Sequence, residues 1–258
     1  GGLQRPAQLG DRSARRALIR HCHWIGFAGC SISGILLVWD LGRPERFFSM
    51  LRVFRPTSPM NMGAWILTAT GGAAAGAVLQ DGGPLGALAG LGGAALATYT
   101  GVLVGNSAVP IWQQARRVLP ILFGFSAMAS AGSVFNLLDA NAQERRISGL
   151  FGIAGQAAEL AAAFTMERQL STVPRVGRPL KRGRSGLMWQ SGTVFTAASL
   201  LVTFLPGKSR KKRIVAGILG TLGSALMRFS VAAIGTASAR DPRATFDQQR
   251  TSSVTTLN

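Results

Sequence analysis

Apolar runs nearly free of charge alternate with short polar, mostly basic segments along the whole chain. The runs cover about 21–39, 62–80, 85–105, 118–138, 147–168, 187–205 and 214–236. Each approaches the ~20 residues that a helix needs to cross the hydrocarbon core of a bilayer. The pattern therefore predicts an all-α fold, a polytopic membrane helical bundle of about seven transmembrane helices. Three parts follow: a basic polar N-terminal segment over 1–20, the bundle over 21–238, and a flexible polar tail over 239–258. The first part holds Arg5, Arg12, Arg15, Arg16 and Arg20 and lacks the apolar core of a signal peptide.

The segment between the first two runs, Asp40 to Trp65, has its own pattern. From Pro44 to Val53 the apolar residues Phe47, Phe48, Met50, Leu51 and Val53 interleave with Arg46 and Arg52. That spacing predicts a short helix lying in the membrane interface with its arginine heads in water. Pro56 and Pro59 end it, and Pro120 falls in the first turn of the fourth span, where proline is tolerated. The plain alternative is a charged connection between two spanning helices. Small residues recur four apart: Gly72 with Gly76, Gly82 with Gly86 and Gly90, Cys30 with Gly34. In lipid such spacing lets helix backbones approach closely, so these residues read as packing surfaces. Gly90-Leu-Gly-Gly follows no strand and is weak as a nucleotide motif.

Composition adds one decision. The formal net charge is +18, which raises the question of nucleic acid. The basic residues lie between the apolar runs, where they mark loops and helix ends, and no stretch is long enough for a soluble basic domain. No nucleic acid partner is expected; the lipid bilayer is. Basic residues divide almost evenly between the two sides of the bundle, so the positive-inside rule does not orient it. Cys22 and Cys30, the only cysteines, sit on one predicted helix, too far apart for a disulfide and too few for an iron–sulfur cluster. His21 and His23 stand at one helix end, where they read as interfacial residues. No haem or iron–sulfur cluster is expected in this chain.

Ionisable groups inside spans are costly and default to functional hypotheses. Glu159 lies at mid-depth on the fifth span; it is either a proton relay or a carboxylate bonded to a neighbouring helix. Arg228, deep in the seventh, is either its paired cation or a side chain reaching toward the interface. Tyr99, the only tyrosine, stands near the end of the third span. A phenol there can donate to a carbonyl of a bound ligand or simply belong to the interfacial aromatic belt. Asp40 and Arg43 read equally as a proton acceptor with the group that fixes its charge, or as a pair that pins the loop.

The run Asp40-Leu-Gly-Arg-Pro-Glu-Arg-Phe47, followed by Met-Leu-Arg-Val-Phe and Ser-Pro-Met…Gly-Ala-Trp65, resembles the signature of the NrfD family, the polysulfide-reductase-type (PsrC-like) membrane subunits. Tyr99-Thr-Gly-Val-Leu-Val-Gly-Asn106 with Val109-Pro-Ile-Trp112 is similar to a second block of that family. The resemblance covers roughly Gly10 to Arg168 and fades beyond. It implies an eight-helix unit, so the expectation is that the family's first helix is missing here. It also implies a multi-pass subunit of a quinone-linked oxidoreductase complex in the bacterial cytoplasmic (inner) membrane, itself without catalytic residues. Electrons and protons would pass between quinone (menaquinone or ubiquinone) and a partner iron–sulfur ferredoxin-like subunit, often with a molybdopterin oxidoreductase subunit beyond it. Quinone-binding residues would be Tyr99, Asp40 and Arg43, the proton relay Glu159 and Asp40, and the partner-facing loop Glu45, Arg46 and Arg52. That loop would face the periplasm, with the N-terminus in the cytoplasm. The alternatives are a structural membrane anchor without a competent quinone site, and a proton-translocating subunit with Glu159 and Arg228 along its path.

Overall fold

A computed structural model describes residues 6–80, 82–138, 142–172, 174–181, 183–207 and 209–239. Residues 1–5, Lys208 and the polar tail from Arg240 lie outside them. Ten helices run in order among the described residues: α1 (Pro6–Asp40), α2 (Pro44–Arg52), α3 (Pro59–Leu79), α4 (Gly83–Gly105), α5 (Pro110–Gln114), α6 (Leu119–Leu137), α7 (Ala142–Ser171), α8 (Pro174–Lys181), α9 (Gly183–Phe204) and α10 (Arg210–Ala239). Seven are long and apolar enough to cross a membrane: Leu18–Asp40 of α1, α3, α4, α6, α7, α9 and α10. The expected spans are all present. The backbone of residues 6–20, set apart by its polarity, continues the first span as one helix. Polarity there changes the surroundings of the helix, and its backbone bonds persist. The connections around Pro110 and over 168–184 hold the short helices α5 and α8, where only loops were expected.

Contacts divide the chain into two units, Gly1–Tyr99 with Asn141–Glu144, and Thr100–Ala140 with Arg145–Asn258. In the first, α3 packs along α1 and α4. The α3–α4 seam locks at three points: Tyr99 on Gly63, Thr70 against Gly92, and Leu85 against Gly76. A Cβ added to Gly63 would lie 2.2 Å from the Tyr99 ring, and one on Gly92 2.2 Å from Thr70 Oγ1. Of the small residues expected to pack, Gly76 does, Gly86 carries the His23 ring, and Cys30 rests on Gly71. Gly34, Gly72 and Gly90 face open space. Spacing marks candidate faces, but only a neighbouring helix makes one a contact.

The second unit is built around α10, which packs on α9 and α6. Its apolar core joins Ile111, Leu119, Leu122, Met166, Trp189 and Ile234, among others, beneath α5 and α8. Trp112 of α5 lays its ring on Gly235 and donates from Nε1 to the Val231 carbonyl at 3.0 Å. The α6–α7 crossing brings backbone onto backbone: a Cβ at Gly132 would lie 2.2 Å from Gly152 Cα, and one at Gly155 2.5 Å from Ala129 N. Lipid is as apolar as any side chain, so such close approach, with its dense dispersion contacts, is what holds helices together there. A Gly132→Leu substitution should therefore cost about 3 kcal/mol, because backbone cannot yield as a side-chain end can. Thermal denaturation in detergent, followed by loss of the monodisperse species, would measure it; an unchanged midpoint would contradict this crossing.

Candidate functional site

The Asp40–Trp65 segment is a helix stop followed by two helix starts. Gly42 (φ +66°) takes the left-handed conformation that closes α1, with its N–H donating to Trp39 O at 3.0 Å. Arg43 is extended (φ −136°, ψ 107°), as a residue before proline prefers, and Pro44 opens α2. Phe47, Met50 and Leu51 are half-buried, while Glu45, Arg46, Phe48 and Arg52 are exposed. The predicted amphipathic helix is present, one residue shorter than expected.

One buried side chain joins α2 to α3. Asn61, 6% exposed, donates from Nδ2 to Met50 O at 2.6 Å and Val53 O at 2.9 Å. Its Oδ1 accepts from the Arg55 N–H at 2.8 Å. The last carbonyls of a helix have no partner within it; here a residue from the next helix supplies one. Ser58 caps α3 by accepting from Asn61 N at 3.4 Å. Sequence reasoning passed over Asn61, although an Asn just inside a proline-initiated helix, after a short amphipathic one, was the available signal.

Tyr99 donates its phenolic O–H to the carbonyl of Pro59, with its ring on Gly63. The two motif blocks therefore interlock physically. On a helix advancing 100° per residue, Asn61 and Trp65 share a face about 160° away from Gly63. Trp65 stacks edge-on with Phe54 at 5.9 Å, and its buried Nε1–H has no partner among the described residues. Asp40 and Arg43 are both exposed, and among the described residues no hydrogen bond or ion pair joins them. The loop is held by Gly42, Pro44 and Asn61; the pinning pair considered for Asp40 and Arg43 is not formed.

The second unit holds the other candidates. Glu159 is fully buried. Ser224 donates to its Oε2 at 3.0 Å, and Ser126 faces the same carboxyl group. Oε1 has no hydrogen-bond partner among the described residues. Arg228 is half-buried, donates to Ser126 Oγ at 3.2 Å and Phe123 O at 3.0 Å, and lies 5.4 Å over the Phe123 ring. Arg228 is thus the electrostatic companion of Glu159 through Ser126, without a direct ion pair. One turn earlier on α7, Gln156 donates to Ser133 at 3.1 Å and to Ser199 at 2.8 Å, and Ser199 donates to Ala216 O at 2.7 Å. Gly220 makes room for this network: a Cβ there would lie 2.1 Å from Ser133 Oγ. Gln156, Ser126, Ser133, Ser199 and Ser224 were not singled out from sequence, since isolated serines in apolar runs carry no signal by themselves.

Seven helices long and apolar enough to cross a bilayer define a polytopic, multi-pass membrane protein. Over residues 1–240 the chain matches the polysulfide reductase family (NrfD_2), and it belongs to that family. The match extends well past Arg168, where the resemblance of the motif blocks fades, and takes in the Glu159–Arg228 cluster of the second unit. No curated protein and no solved structure matches the chain.

Asn61→Ala should remove three hydrogen bonds and leave two carbonyls and one N–H without partners, a cost of about 3 kcal/mol. The measurable sign is local. Amide hydrogen exchange of residues 44–55 should rise at least tenfold while that of α10 stays unchanged.

Proposed function

We propose that this chain is the membrane subunit of a quinone-linked oxidoreductase complex. It anchors a partner iron–sulfur subunit and exchanges electrons and protons between quinone and that partner. The observation that carries the reading is the interlock of Tyr99 with Gly63 beside the Asn61 clamp. It gives both family motif blocks one mechanical purpose, holding α2 and its exposed charges in a fixed place.

Bound quinone supplies two-electron, two-proton redox chemistry. The residues of the α2–α3 corner suit its headgroup: Trp65 holds a buried N–H without an acceptor, and Phe54 gives an aromatic edge. A carbonyl acceptor would satisfy that donor, which otherwise costs about 1–3 kcal/mol. The Tyr99 hydroxyl hydrogen is committed to Pro59, so Tyr99 positions α3 against α4 and leaves donation to Trp65. Asp40, exposed at the end of α1, accepts protons, and Arg43 holds negative charge beside it. Glu45, Arg46 and Arg52 on the open face of α2 meet the partner subunit. With two cysteines and two histidines in the chain, the electrons pass to clusters held by that partner, in the bacterial inner membrane.

A second reading, proton translocation through the other unit, is favoured by Glu159. A charge at mid-span costs about 3 kcal/mol, so Glu159 and Arg228 together cost about 6. The hydrogen bonds from Ser224 to Glu159 and from Arg228 to Ser126 and Phe123 return about 0.6–1 kcal/mol each. Stability alone does not account for the cluster, whereas a proton carrier needs such an incompletely bonded carboxyl group.

Quinol-driven turnover of the assembled complex tests both readings. Trp65→Phe should raise KM for quinol about tenfold, the worth of one hydrogen bond, with little change in kcat. Asp40→Asn should lower kcat about a hundredfold, as loss of a proton acceptor does. If both variants turn over as the parent does, the chain is an anchor without a quinone site. Glu159→Gln should abolish proton translocation in proteoliposomes while electron transfer persists; retained translocation rejects the relay.

A further inference from the structure

The turn between α9 and α10 has no role in the function proposed above, yet it concentrates charge more than any other part of the chain. Lys208 and then Arg210, Lys211, Lys212 and Arg213 follow one another directly between two membrane spans. The first turn of α10 contains no acidic residue, although a helix N-terminus is already the positive end of its dipole. Along the sequence, no Asp or Glu occurs between Glu167 and Asp241. The turn is nevertheless well built. Gly207 (φ +107°) reverses the chain, and Ser209 Oγ accepts from the Lys212 N–H at 3.2 Å. The Lys212 ammonium bends back to the carbonyls of Leu205 and Gly207, closing the open end of α9. Lys212 is thereby committed to the fold. Lys211 stays exposed on the face of α10 that also carries Val215 and Ile218, while Arg213, two residues on, is half-buried.

The surface just below is apolar and open. Leu201 and Phe204 on α9 and Leu205 just after it are 58–68% exposed, and Val215 and Ile218 on α10 are 46–47% exposed. A free phosphate ion has no use for such a surface, and an acidic protein segment would not reach below headgroup level. A cationic head above exposed aliphatic and aromatic side chains matches a molecule with an anionic phosphodiester on acyl chains.

We propose that the α9–α10 turn binds an anionic phospholipid. Lys211 holds its phosphodiester, and the exposed apolar residues below, Val215 and Ile218 on the same face of α10 among them, receive its acyl chains. The bound lipid offsets the positive charge gathered at the α10 N-terminus and fixes this end of the second unit at headgroup height. The site is independent of quinone and of the α2–α3 corner.

Native mass spectrometry of the detergent-purified full chain, titrated with phosphatidylglycerol or phosphatidylcholine, tests the proposal. The parent should retain phosphatidylglycerol over phosphatidylcholine, and the Lys211→Gln variant should lose that preference by about fivefold, from the loss of one interfacial charge. The charge-keeping Lys211→Arg variant should retain most of it, which separates binding from folding. Millimolar inorganic phosphate should not compete. Equal retention of both lipids by the parent, an unchanged preference in the glutamine variant of α10, or displacement by phosphate would each overturn it.

Discussion

Water cannot reach the middle of a membrane span, so each polar group there must find its partner within the protein. Helices satisfy their own backbone, which leaves side chains and helix ends to be settled one by one. The Gln156 amide nitrogen donates to both Ser133 and Ser199, and Ser199 in turn donates to the Ala216 carbonyl. Asn61 closes the end of α2. Against these satisfied groups stand the exceptions: Trp65 Nε1, Glu159 Oε1, Gln169 Oε1, Thr196 Oγ1, Arg213 Nε, Thr221 Oγ1 and Ser238 Oγ are buried without partners among the described residues. One of them, Glu159, lies where chemistry was expected, by its depth in the span, and Trp65 stands at the end of the first motif block.

The same constraint explains the use of glycine. With no hydrophobic gain from bringing one apolar helix onto another in lipid, cohesion comes from close contact. Gly132 against Gly152, Gly155 against Ala129, and Gly192 and Gly223 against α10 and α9 let backbones meet. Gly220 has a different purpose, since it leaves space for three polar side chains. Small residues thus serve both cohesion and polarity, and the second unit places the two purposes on one face of α10.

In the first unit the family motif reads as mechanics before chemistry. Gly42 and the prolines at 44 and 59 fix where helices stop and start. Asn61 and Ser58 hold the corner, and Gly63 seats the tyrosine of the second block. The exposed Asp40, Arg43, Arg46 and Arg52 are the residues this frame presents. A charged interfacial helix on a flexible linker would lose orientation; clamped at its last turn, it offers one defined surface.

Much of the fold was legible in the sequence, because spans are set by length and absence of charge, and α2 by its alternation of arginine and apolar residues. Helix starts were legible through proline, and the depth of Glu159 and Arg228 through their distance from the nearest loop. The sequence could not pair them through Ser126, nor tell that Asp40 and Arg43 stay apart, nor separate the glycines that pack from Gly34, Gly72 and Gly90, which do not. Those facts depend on which face of a helix meets a neighbour. In an apolar run nearly uniform around its circumference, periodicity carries no such information, and only tertiary packing selects the face.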